Sequence, residues 1–171
     1  MRSNIQNIYV LLLKITGMYA FVVTLGFFAL FPIALANGRH VVFPAIWALI
    51  AAFIAITLAR PQLLPQWFAR PASPRHLIPV LLGNGLLPLL FVIPAMAAVL
   101  ALELPEPTSE MLSIAAAVPP FLLLGLAWWL GLALCVWQKP GGTPARVVPR
   151  RPKMPVLRPE ELADLRHQRT G

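Results

Sequence analysis

Charge is scarce in this chain: Asp, Glu, Lys and Arg together make up 12% of its 171 residues, against 58% that are hydrophobic. With a mean hydropathy of +0.75, there is too little polar surface to coat a soluble globule. Cysteine is scarcer still. Cys135 stands alone, which excludes a disulfide framework and a cysteine-based metal site and leaves the redox compartment unread. The histidines, His40, His76 and His167, lie far apart, with no HxxxH or HExxH pair to hold zinc or a bis-histidine haem. Walker loops, GxSxG and SxxK nucleophile motifs are missing as well, so neither a cofactor nor an enzymatic activity is expected.

What fills the chain instead is four long apolar runs, residues 15–36, 41–59, 77–102 and 111–137. Each reaches or exceeds the roughly 18 to 20 residues that cross about 30 Å of hydrocarbon as a helix. No Asp, Glu, Lys, Arg or His falls within their interiors, and Lys14 sits just ahead of the first. Pumps and proton-coupled transporters use intramembrane carboxylates or buried counter-ions, and none is available here. The composition therefore predicts an all-α integral membrane protein with four transmembrane helices over residues 1–137, followed by a basic tail over residues 138–171.

The cations set the expected orientation. Arg2, Arg60, Arg70 and Arg75, together with every Lys and Arg of the tail, fall on one side of a four-crossing arrangement. Only Arg39 falls on the other, so the positive-inside rule places both termini in the cytoplasm. Ala34-Leu35-Ala36 imitates a signal-peptidase site, but the apolar run before it is longer than a signal h-region, and an uncleaved first helix is expected. Lys14 reads as a side chain that snorkels back to the headgroups, because no helix offers it a carboxylate.

Connections predict two helical hairpins. Asn37-Gly38-Arg39-His40 is too short to do anything but turn the chain tightly. Residues 103–110 make the second turn, in which Thr108 or Ser109 is placed to cap the helix that follows. Between the hairpins, residues 60–76 carry Pro61, Pro65, Pro71 and Pro74 with Trp67 and Phe68 among arginines, a composition suited to the headgroup layer. Trp137 reads as an anchor at the same interface.

Small residues recur every four positions at Thr16, Ala20 and Thr24, at Ala51, Ala55 and Ala59, and at Ala127, Gly131 and Cys135. Such stripes let backbones approach closely, and packing within the chain is the first expectation for them. The third run holds Gly83-Asn84-Gly85 followed by Pro88, whose ring opposes the carbonyl of Asn84. A kink or break is expected there. A break would also be where a pore or transport path lies, with Asn84 exposing its amide to it, whereas a plain kink would leave Asn84 bonded across the bundle.

The tail opens with Lys139-Pro-Gly-Gly-Thr-Pro, which sustains neither helix nor sheet. Arg146, Arg150, Arg151 and Lys153 are expected to draw it to anionic lipid headgroups. No aromatic residue interleaves with those charges, so nucleic acid is not expected as a partner. Residues 159–168 read as a short helix with Pro159 at its first position, and Leu157, Leu162 and Leu165 give it one apolar edge. Leu157, Leu162, Leu165, Arg150 and Arg151 are thus the expected partner-binding residues, although a frayed tail satisfies the same sequence.

By elimination these features point to a non-catalytic accessory or assembly subunit of a larger bacterial inner-membrane complex of the secretion, conjugation or respiratory type. Its partners would be other membrane-protein subunits, with homo-oligomers equally open. The bacterial source is suggested by a preference for Arg over Lys alongside abundant Ala, Leu and Pro. Two alternatives use the same four helices: a small oligomeric transporter or channel built on the broken third helix, and a membrane immunity or exclusion protein.

Overall fold

A computed structural model describes residues 2–136, and they fold as five helices joined by short turns. The helices are α1 (Arg2–Ala36), α2 (Val42–Ala59), the single-turn α3 (Gln66–Ala69), α4 (Ile78–Leu102) and α5 (Glu106–Val136). Tight 3-10 turns at Pro61–Leu63 and Pro74–Leu77 flank α3 and complete the connection between α2 and α4. Four helices, α1, α2, α4 and α5, are long and apolar enough to span a membrane. Residues 137–171 fall outside the described residues, and with them Trp137, Arg150, Arg151, Leu157, Leu162, Leu165 and the expected helix over 159–168.

The first helix is longer than its apolar run. At 35 residues it measures about 52 Å, well beyond the about 30 Å of a hydrocarbon core. Hydropathy marks only residues 15–36, yet the helix begins at Arg2 because the apolar face continues ahead of Lys14. Tyr9, Leu13, Thr16, Ala20, Thr24, Phe27, Phe31 and Ala34 are all buried, in steps of three and four along one stripe. That stripe faces three neighbours. α1 packs most extensively against α2 and α5 and less against α4, while α2 and α5 scarcely meet, so the ring order is α2, α1, α5, α4.

Caps explain where the helices stop. At the end of α1, Gly38 takes a left-handed φ of +70°. The Gly38 N–H donates to the Leu35 carbonyl and the Arg39 N–H to the Ala34 carbonyl, a Schellman closure. α4 ends the same way without a glycine: Glu103 adopts φ 53° and the Leu104 N–H reaches the Val99 carbonyl. The two ends are stitched together by Asn37, whose side-chain amide donates to the Ala101 carbonyl at 2.7 Å, and by an exposed Arg39–Glu103 ion pair at 3.6 Å. α5 starts at Glu106, earlier than the apolar run suggests. Neither Thr108 nor Ser109 is its cap. Both lie inside the helix, and the Ser109 hydroxyl donates instead to the Glu106 carbonyl at 2.7 Å.

Small residues set the closest approach between α1 and α2. Ala48, Ala51 and Ala55 are fully buried on α2, whereas Ala59, the last of the predicted stripe, is only partly so. Opposite them stands Gly17, outside the predicted stripes. A β-carbon there would lie 2.5 Å from the Ala55 carbonyl oxygen and 2.8 Å from the Ala59 Cα, against rigid main chain. The corresponding contact at Gly131 is softer, since its β-carbon would meet the side chain of Leu77 at 2.6 Å. On α5, adjacent tryptophans divide: Trp128 packs against the core and Trp129 is 70% exposed.

Gly17→Ala is expected to separate α1 from α2 and lower stability by about 1 to 3 kcal/mol, as overpacking does in a close-fitted interior. Gly131→Ala should cost clearly less because Leu77 can rotate away. Thermal unfolding of the two variants in one detergent compares them directly.

Candidate functional site

Asn84 is the one carboxamide within the four apolar runs, and its surroundings bear on what the third long helix does. α4 runs as a helix from Ile78 to Leu102 without interruption, through both Pro88 and Pro94. Of the kink or break expected at Gly83-Asn84-Gly85-Pro88, the break is absent: the chain stays helical across all four positions. The reason is local and tertiary together. Pro88 removes only one N–H, the helix on either side keeps its own bonds, and Pro94 is buried against neighbours that hold the axis.

Around Asn84 the contacts are with α5. A β-carbon on Gly125 would lie 3.5 Å from the Asn84 Nδ2, so the amide occupies the space that the glycine leaves open. Gly83 looks toward Leu124 in the same pair of helices, while Gly85 borders open space. Asn84 Oδ1 is buried and has no hydrogen-bond partner among the described residues. Pro88 cannot donate to the Asn84 carbonyl either, so the residue carries one buried side-chain acceptor and one main-chain acceptor deprived of its helical donor. Two neutral acceptors can receive a hydrogen bond, but they supply neither a nucleophile nor a proton.

Several other polar groups of the spans are engaged. The hydroxyls of Thr16, Thr24 and Thr57 donate to the carbonyls four residues back, each at 2.8 Å. Tyr19 donates across to the Ala115 carbonyl of α5. Trp47 Nε1 is buried without a partner among the described residues, while its ring stacks on Phe43 at 5.9 Å.

At the end of the bundle where α1 begins, the connection between α2 and α4 is tied down on two sides. Tyr9 of α1 donates its hydroxyl to the Phe68 carbonyl at 3.0 Å, and the Cys135 thiol of α5 approaches the Pro71 carbonyl at 3.8 Å. Within the connection, His76 Nδ1 accepts from the Ala72 N–H at 3.2 Å, and the Trp67 ring lies against His76 and Phe68. Lys14, Arg60, Arg70 and Arg75 gather at this end, and Glu103, Glu106 and Glu110 at the other. No three His, Cys, Asp or Glu side chains come together to bind a metal among the described residues.

Sequence reasoning picked out Asn84 and the connection but missed Gly17, since a glycine's neighbours across a helix pair leave no trace in its own helix. No protein family, curated protein or solved structure matches the chain.

Replacing Asn84 with Ala removes a buried acceptor that has no partner, and is expected to change stability by less than about 1 kcal/mol. Chemical denaturation in mixed micelles checks this, and a loss of several times that amount would show a strong hydrogen bond at Asn84.

Proposed function

We propose that this chain is a non-catalytic accessory or assembly subunit of a larger bacterial inner-membrane complex, of the secretion, conjugation or respiratory type. The observation that carries the reading is how the spans use their polar groups. Three threonines bond to their own helices, Tyr19 bonds to the neighbouring α5, and the Asn84 amide fills the space over Gly125. These polar groups are turned to their own or a neighbouring helix, which suits a protein whose work is done at its surfaces. The gathering of cations at one end supports an orientation with that end, and both termini, in the cytoplasm. In this reading the basic tail, through Arg150, Arg151, Leu157, Leu162 and Leu165, is the tether that engages other subunits.

A second reading, a small oligomeric transporter, rests on one specific feature: Asn84 Oδ1 lacks a partner, as an acceptor waiting for a substrate would. In that reading the contact with Gly125 is one state of a path that opens on assembly.

Extraction of native membranes in mild detergent, capture of the chain and quantification of what accompanies it separates the two. Other membrane subunits in fixed stoichiometry, lost when residues 155–171 are deleted, are the expected result. Recovery of the chain alone or only as a homo-oligomer would contradict the accessory reading and favour transport.

A further inference from the structure

A cleft of about 560 Å³ opens between the first turns of α1 and the connection that follows α2. Gln6, Asn7 and Lys14 line it from α1, and Gln62 and Arg70 from the connection. Asn7 and Lys14 are two turns apart on one face of the helix, which is why a single groove collects them. Arg70 is brought opposite by the anchoring of the connection. The Tyr9 hydroxyl holds the Phe68 carbonyl at 3.0 Å, and the Arg70 N–H closes α3 on the Gln66 carbonyl at 2.9 Å.

Charge in this cleft is of one sign. Lys14 and Arg70 make no ion pair among the described residues, whose single ion pair joins Arg39 to Glu103 at the other end of the bundle. Every described carboxylate, Glu103, Glu106 and Glu110, lies at that other end. Two cations with three carboxamides around them offer N–H donors and positive charge together, the combination that recognises phosphate oxygens.

Depth adds the remaining constraint. Counting back from Ala36, about 20 residues of α1 cross the hydrocarbon, which puts Lys14 at its boundary, level with lipid phosphates. On the membrane side of Lys14, Ile15 and Met18 continue as an exposed apolar flank of α1, 45% and 61% accessible. We propose that the cleft binds the phosphate of an anionic phospholipid, with Lys14 and Arg70 as its charged contacts. Gln6, Asn7 and Gln62 supply neutral donors, and an acyl chain lies along Ile15 and Met18. A lipid is the occupant chosen over free phosphate because the apolar flank leads directly out of the polar site. The site is independent of the partner-binding role proposed above.

Native mass spectrometry of the full chain in detergent, titrated with phosphatidylglycerol or phosphatidylcholine, tests the assignment. The chain is expected to retain phosphatidylglycerol preferentially. The double variant Lys14→Gln/Arg70→Gln should weaken that binding about 10- to 30-fold, while Arg60→Gln/Arg75→Gln, at the same end but outside the cleft, changes it little. Both replaced cations are exposed, so matched thermal unfolding of the two variants is expected and is measured alongside. Equal losses in the two double variants would reveal diffuse attraction and overturn the site. Release of the lipid by millimolar inorganic phosphate would assign the cleft to the soluble ion and overturn the lipid, whereas retention supports it.

Discussion

Everything in this bundle is organised around the place where two backbones touch. At Gly17 the main chain of α1 lies against Ala55 and Ala59 of α2 so closely that a methyl group cannot be added. Membranes offer no hydrophobic drive for apolar helices to associate, because lipid is as apolar as leucine. Close approach and dispersion must do that work, and they are strongest where side chains are smallest. With α2 fixed against α1 by Gly17, Ala48, Ala51 and Ala55, the stripe from Tyr9 to Ala34 is aimed into the bundle, and α4 and α5 complete the enclosure around it.

The two ends of the bundle are built with different chemistry. Where α1 meets α2 and α4 meets α5, left-handed residues at Gly38 and Glu103 terminate the helices, and Asn37 and Arg39 tie one turn to the next. The opposite end has no acidic side chain among the described residues and is secured by hydroxyl and thiol contacts to carbonyls of a proline-rich connection. Prolines there cannot donate main-chain hydrogen bonds, so the connection depends on side chains from α1 and α5 for its position. Its arginines are left facing outward, which is what gives this end its cationic character.

Much of this was legible in the residues, and the exceptions have physical causes. Run lengths located the four spans to within a residue or two at most ends, because a membrane helix must be apolar over a length set by the bilayer. They failed at Arg2 and Glu106, where α1 and α5 continue past the hydrocarbon and hydropathy no longer governs. The rule that predicts a kink or break at Gly83-Asn84-Gly85-Pro88 describes isolated helices. In α4 the helix continues through Pro88, which removes a single N–H and leaves the Asn84 carbonyl without its helical donor. Gly17 and the cleft at Lys14 and Arg70 were illegible for a shared reason: each depends on which residues of a distant segment lie opposite, and no pattern along one helix encodes that. The partner-binding residues expected in the tail, Arg150, Arg151, Leu157, Leu162 and Leu165, lie outside the described residues.

The central claim is that polar groups within the spans serve helix packing and do not line a path for solutes. It is tested most directly by replacing Asn84 with Cys in a Cys135→Ser background and exposing native membranes to a membrane-impermeant maleimide. Protection of the thiol until the protein is denatured is the result this account predicts. Rapid labelling in intact membranes would contradict it, because water would then reach Asn84 in the native state.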